Sequence, residues 1–416
     1  MNLKLNPKKS GVSVFIISEK KFIYTLLLLF LPIIDMFNGY GLANGYIAEG
    51  GLASPSQISR ALMLCIFLYI FFKYKMNISI IIFFIPLFIT EFLMGIFLQE
   101  TFGVSYGVMS IYKLVYVVIT GTLLSFLVKD RNDIYLFSKF LKINILIIST
   151  SIYFSLYTGL GASTYGWGFG TKSFFASGNG LGIYLGIVSL TLIALNYYKL
   201  SVKSSVFTYL YVIFSIACIG TKTSFVLCLI ILLALIFISK QRYFLIFISC
   251  CIFFVFSRFI FEYFPILFDV IISRAEHTDS FGQYVSSGRA DYIMEAFSIF
   301  TASDSNMFRL LFGSGAFLSF QDPNNYFEFD TLETDFFDLL FMYGLYGLIF
   351  YLSCIIYIMY LLRSHLFMLL IFLLLISHSL FLGHVLFNGM SSILLAMFFF
   401  MAKYFSLHKI PPQLKE

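Results

Sequence analysis

Apolar runs long enough to cross a lipid bilayer follow one another along this chain, and one long polar stretch, Arg258 to Asp335, interrupts them. A bilayer core about 30 Å thick takes about 20 apolar residues in helical form. At that length the sequence predicts about twelve spans. Their cores lie at 22–38, 58–72, 78–98, 108–128, 136–158, 176–197, 205–219, 223–239, 243–261, 335–361, 366–384 and 387–405. The residues are 60% hydrophobic and 12% charged, with a mean hydropathy of +0.93. No soluble core absorbs that much apolar surface. Barrel strands alternate apolar and polar residues, whereas these runs are unbroken, so helices are expected. The expected fold is all-α and polytopic: one membrane domain over 1–416, with 258–335 as a long loop between spans. The first apolar run lacks a small-residue cleavage site and reads as an anchor.

Lysine and arginine set the expected orientation. Basic residues collect on the cytoplasmic side of spans. Lys4, Lys8, Lys9, Lys20 and Lys21 precede the first span, and every second connection after it is basic, through Lys73, Arg131, Lys199, Lys240, Arg363 and Lys403. This alternation puts 19 of the 27 basic residues inside, both termini in the cytoplasm and the long loop outside. Eight run against the bias: Arg60, Lys113, Lys172, Lys222, Arg258, Arg274, Arg289 and Arg309. An anionic ligand explains them, and so do carboxylate partners; Lys172, Lys222, Arg274 and Arg289 are the stronger set for an anion.

The long loop holds 12 of the 21 acidic residues, four arginines and no lysine. Ser286 to Phe300 reads as a short amphipathic helix, capped by Ser286 or Ser287. Asp291 and Glu295 face water in that reading, and Ile293, Met294, Phe297 and Phe300 form its apolar side. Arg289 falls in the first turn, where the helix dipole disfavours a cation. Two readings fit it equally: a bound phosphate at the helix start, or a salt bridge to a loop acid. Leu311-Phe312-Gly313-Ser314-Gly315 reads as a helix stop. Tyr326, Phe327, Glu328, Phe329 and Asp330 mix aromatic faces with carboxylates, a pattern that suits sugar rings and equally an interfacial aromatic belt. Glu333 and Asp335 open the tenth span. Asp330 with Glu333 resembles a capping box, and Asp338 one turn deeper calls for a cationic partner or a polar cavity. A carboxylate here suits the removal of a proton from a sugar hydroxyl.

Elsewhere the signals are weaker. Glu91, the deepest acid, is expected to pair with Arg60 or Lys113. Gly220-Thr221-Lys222-Thr223-Ser224 lacks the strand and the glycine pattern of a nucleotide loop. The small residues of Phe175-Ala176-Ser177-Gly178-Asn179-Gly180 suit close helix packing. His378 and His384 lie in or near the eleventh span and read as packed histidines, His384 closer to the outer surface. The six cysteines sit in apolar runs and read as small hydrophobes. No metal-ligand spacing occurs, so no metal and no cofactor is expected.

These motifs, in their order, resemble the bacterial O-antigen polymerase (Wzy) family. The matching pieces are Phe175 to Gly180, Gly220 to Thr223, Ser287-Gly288-Arg289, Leu311 to Gly315, Glu333-Thr334-Asp335 and Tyr343-Gly344-Leu345-Tyr346-Gly347-Leu348. Together they cover about residues 165–360. The resemblance implies an inner-membrane glycosyltransferase. Such an enzyme moves a growing glycan from undecaprenyl diphosphate to the next undecaprenyl-diphosphate-linked repeat unit. It implies a chain-length regulator protein in the membrane as a partner, and no nucleic acid. Arg289 matches the family's loop arginine. The arginine–glycine element of the earlier outer loop is replaced here by Lys172 after Gly166, Gly168 and Gly170. The related ligases carry a histidine–asparagine pair where this chain has Asn324-Asn325-Tyr326, which favours polymerase over ligase. A lipid-linked oligosaccharide flippase would show two related halves, and none is evident. In the implied mechanism Arg289, helped by Arg274 and Lys222, stabilises the diphosphate, Lys172 and Arg309 are further substrate-binding candidates, and Glu333 or Asp335 accepts the proton.

Overall fold

The computed structural model describes residues 19–47, 54–76, 79–98, 101–165, 169–238, 289–302, 307–316 and 332–408, with isolated positions between 242 and 276. Helices dominate, as expected. In order they are α1 (Glu19–Ala43), α2 (Pro55–Lys73), α3 (Ile85–Leu98), α4 (Thr101–Leu127), α5 (Arg131–Thr158), α6 (Gly178–Tyr197), α7 (Val206–Ala217), α8 (Lys222–Ile238), α9 (Arg289–Ala302), α10 (Met307–Phe312), α11 (Asp335–Leu362), α12 (Leu366–Phe381) and α13 (Ser392–His408). A small antiparallel hairpin, β1 (Ala162–Ser163) with β2 (Thr171–Ser173), joins α5 to α6. Among the described residues six helices are long and apolar enough to cross a membrane: α1, α2, α4, α5, α6 and α11. Five shorter apolar segments, in α3, α7, α8, α12 and α13, accompany them. Most of the predicted segment 243–261 lies outside the described residues.

α6 sits at the centre, with 94% of its apolar window buried. A helix that is apolar all round belongs inside a bundle. Its glycines allow the neighbours to come close. Gly178, Gly182 and Gly186 recur every fourth residue and share one face. A Cβ on Gly182 would lie 2.5 Å from Ser224 Oγ, and one on Gly186 would lie 2.7 Å from Leu227, so this stripe is where α8 packs. Apolar surroundings give helices no hydrophobic reason to associate, and close contact between small residues supplies the attraction instead. α4 packs against α13 on the other side of the bundle, and α11 packs against both α12 and α13. Inside, Asn144 of α5 donates to Leu28 O at 2.5 Å, and Tyr184 of α6 donates to Asn144 Oδ1 at 2.9 Å, so one amide ties three helices together.

Polar contacts gather the basic connections at one end of the bundle. Lys20 pairs with Asp133 at 2.7 Å and Lys73 with Glu19 at 2.5 Å. Arg131 donates to Lys199 O at 2.6 Å. The helix ends that carry Arg289, Glu333 and His384 form a separate cluster. There the predicted spans 366–384 and 387–405 need correction. α12 stops at Phe381 and α13 starts at Ser392, so residues 382–391 form a non-helical loop.

The glycine stripe yields a direct test. Gly182→Ala should destabilise the protein by about 1–3 kcal/mol through overpacking. Ser224→Ala in the same chain should recover part of that loss, because it removes the atom the new methyl meets. Thermal unfolding in detergent measures both; strictly additive losses would exclude the contact.

Candidate functional site

Three segments far apart in sequence meet around one carboxylate. The first is α9. Its buried residues Ala296 and Phe300, with Phe297, lie toward α11, and the Phe297 and Phe300 rings meet Phe341 edge-on at 5.1 and 5.3 Å. Asp291 and Glu295 are exposed as expected, but Met294 is 70% exposed and does not belong to the apolar side. This docking buries Arg289, the first residue of α9, to 6% exposure. Ser286 and Ser287 lie outside the described residues.

The second segment is the entry to α11. Arg289 Nη2 forms an ion pair with Glu333 Oε2, so a loop acid is its partner in this structure. The Glu333 side chain is half exposed while that of Arg289 is 7% exposed, so the pair opens to the surface through its carboxylate. Glu333 has φ +57°, a conformation that costs a non-glycine residue free energy. It therefore does not close a capping box, and Asp330 lies outside the described residues. Asp338 instead reaches back to the segment before the helix, accepting from Leu332 N at 2.7 Å. Its expected cationic partner is a backbone amide instead.

The third segment is the 382–391 loop, which Asp335 holds. Asp335 is 1% exposed. Its Oδ2 accepts from Ser379 Oγ at 2.7 Å and from Val385 N and Leu386 N at 3.1 Å each. α12 can end so abruptly because Gly383 and His384 both take positive φ, +58° and +57°. A Cβ on Gly383 would collide with the Glu333 carbonyl, so only glycine lets the two strained segments touch. The turn carries His384 Nε2 to 3.6 Å from Glu333 Oε2. Ser391 Oγ donates to the His384 carbonyl and fixes the other side of the turn.

His384, first, and then Arg289 hold the Glu333 carboxyl down at about 2, against an ordinary 4.5. Three buried polar atoms around this cluster have no hydrogen-bond partner among the described residues: Arg289 Nε, Thr334 Oγ1 and His378 Nε2. Unmet polar groups are costly unless a ligand or water meets them, and here they adjoin two strained non-glycine residues. Groups with both signs of charge, unfilled hydrogen bonds and backbone strain converge on one surface opening.

The other expected site residues lie elsewhere. Arg309 Nε donates to Ser314 Oγ at 2.6 Å, and its guanidinium lies 4.8 Å from the Phe300 ring centre. It braces α9 and the Gly313-Ser314-Gly315 turn. Ser314 N and Gly315 N donate to Phe341 O and Met342 O at 3.2 and 2.9 Å. Those carbonyls belong to the turn of α11 that breaks at Gly344, with φ 62° and ψ −162°. Glu91 accepts from Ala316 N at 2.8 Å and pairs with neither Arg60 nor Lys113. Arg60 makes a two-pronged pair with Asp35, Nη1 to Oδ1 at 2.8 Å and Nη2 to Oδ2 at 2.6 Å. Lys172 donates to Ala176 O at 3.1 Å in the β2 turn, and Lys222 starts α8 beside that hairpin, where Thr171 N donates to Cys218 O at 3.0 Å. Arg274 lies outside the described residues. No His/Cys/Asp/Glu cluster able to hold a metal occurs among the described residues.

His384 and Asp35 are the residues the sequence reading undervalued. The signals were Gly383 before His384 and the turn-forming pair Asn388-Gly389, which break an otherwise apolar run. Compared with protein-family models, with curated proteins and with solved structures, the chain matches none.

Glu333 links the site to pH. Its depressed carboxyl contributes stability in full above 4.5 and loses it as pH falls toward about 2. Wild type should therefore melt above Glu333→Gln at neutral pH, and the gap should close across that acid window. A gap that stays constant with pH would contradict the pairing.

Proposed function

We propose that this protein is a membrane glycosyltransferase of the O-antigen polymerase kind, acting on a glycan carried by undecaprenyl diphosphate. The buried Arg289 at the start of α9, paired to a surface-opening Glu333 beside His384, carries the reading. An enzyme that cleaves a sugar–diphosphate bond needs a fixed cation where negative charge grows and a proton acceptor within reach. The ordered motifs that resemble that family's suggest the substrate class. In this reading the chain has twelve spans in a bacterial inner membrane, both termini are cytoplasmic and segment 258–335 lies on the outer face. A chain-length regulator in the same membrane is the expected partner.

The chemistry runs through the ion pair. An incoming diphosphate competes with Glu333 for Arg289, as phosphate oxygens match the guanidinium fork. The acceptor sugar's hydroxyl oxygen attacks the anomeric carbon. The bond from that carbon to the diphosphate oxygen breaks, and undecaprenyl diphosphate leaves with the electron pair. A carboxylate with a pKa of about 2 is a poor base. Glu333 becomes a better one once the diphosphate occupies Arg289, because it then loses a cation. The hydroxyl proton passes to Glu333, or to His384 beside it. Asp335, buried and already accepting three hydrogen bonds, positions His384 rather than taking the proton.

Arg289→Ala should abolish long-chain surface polysaccharide, and Arg289→Lys, which keeps the charge but not the fork, should shorten it. Normal chain length in both variants, seen by gel electrophoresis of the surface glycan, would exclude the diphosphate role.

His384 also supports a second reading. The related ligases use a histidine at their site, and the fold brings one beside Glu333 by a different route. Deleting the gene separates these readings. Loss of a polymerase leaves single repeat units on the lipid acceptor, loss of a ligase leaves none, and loss of a flippase leaves lipid-linked units inside.

A further inference from the structure

The 382–391 loop has a second side. Its first half carries His384 toward Glu333. Its second half, Asn388 to Met390, walls an open cavity with α1, α2 and the Phe175–Ser177 turn. Arg60 Nε donates to Gly389 O at 3.3 Å and ties this half down. Asp35, Asn38, Ser56, Arg60 and Asn388 make its wall partly polar.

Its charge balance selects the ligand class. Among the described residues Arg60 is the one cation in the wall, and its two-pronged pair with Asp35 cancels that charge. Lys113 of α4 is not part of the wall. An anion would have to displace a buried carboxylate whose removal from its partner is strongly unfavourable. The groups left to meet a ligand are neutral. Asn38 is 8% exposed, and its side-chain Oδ1 is buried with no hydrogen-bond partner among the described residues. Asn388 uses its Oδ1 on Met390 N and Ser391 N at 3.0 and 3.3 Å, which leaves the amide N–H groups to donate. Phe175, Leu181 and Met390 add apolar surface to the same wall. Paired amides beside an aromatic and aliphatic surface match a ring with hydroxyls at its edge and C–H groups on its face.

We infer that the cavity between Asn38, Asp35–Arg60, Asn388 and Phe175 is a sugar-binding subsite for one neutral monosaccharide ring. The assignment deepens the glycosyl-transfer reading and rests on it for what the sugar is attached to, a lipid-linked repeat unit. The shared loop then gives the two sites a division of labour: the His384 side handles the diphosphate and the proton, and the Asn388 side holds a sugar.

Sugar binding is measured on the purified full chain in lipid nanodiscs by saturation-transfer NMR. The probes are methyl glycosides of glucose, galactose, mannose and N-acetylglucosamine. At least one should receive saturation. Asn38→Leu should weaken that binding about fivefold, the worth of one net hydrogen bond. Ala176→Phe should block it from the mouth of the cavity; Ala176 is exposed, so this variant tests the site even if Asn38→Leu fails to fold. Arg289→Ala should leave it unchanged, and sodium pyrophosphate should not compete. Transfer to none of the probes overturns the assignment. So does undiminished transfer in Ala176→Phe, or displacement by pyrophosphate, which would mark an anion site. The readout is independent of polymer formation. Sugar binding with normal glycan chains in Arg289→Ala sinks the transferase reading alone, and absent binding with lost chains sinks the subsite alone.

Discussion

A backbone amide or carbonyl that leaves a helix in apolar surroundings must find another partner, and the end of this protein that carries the candidate site is built from such replacements. α12 stops short, and Asp335 receives the amides of Val385 and Leu386. α11 breaks at Gly344, and the Gly313-Ser314-Gly315 turn supplies amides to the carbonyls of Phe341 and Met342. The 382–391 loop turns back, and Arg60 takes the Gly389 carbonyl. Each break is satisfied by a polar group from a different element. The breaks therefore fix the relative positions of Arg289, Glu333 and His384, and the irregular backbone lies where the candidate chemistry lies.

Much of the bundle was legible in hydropathy. Apolar length alone marked α1, α2, α4, α5, α6 and α11, because a span is a local property of about 20 residues. The 382–391 loop was not legible that way. Val385, Leu386 and Phe387 keep the average apolar, and their burial within the bundle, rather than in lipid, is a tertiary fact. The breakers Gly383 and Asn388-Gly389 were present but were outweighed by the run around them.

The site was half legible. Arg289 stood out because a cation at a helix start opposes the dipole, and Glu333 because acids cluster at the mouth of a span. Their pairing spans 44 positions, and any loop acid would have served the same sequence argument. Asp335 and Asp338 looked alike as acids entering an apolar helix. Their partners separate them from Glu333: both are buried and accept from backbone amides, whereas Glu333 faces the opening. Arg60 pairs with Asp35 rather than Glu91, because the packing of α1 against α2 brings an acid 25 positions away to it. A buried guanidinium–carboxylate pair adds little net stability yet is costly to break, so it acts as a register pin between α1 and α2.

The contact between Gly313 and α11 has a mechanical meaning. A Cβ on Gly313 would strike Met342 O, and one on Gly344 would strike the Leu311 carbonyl, so two backbones touch with no side chain between them. Nothing compressible separates α10 from the bend in α11. The two meet backbone to backbone, and the Arg309 guanidinium over the Phe300 ring ties the same joint to α9.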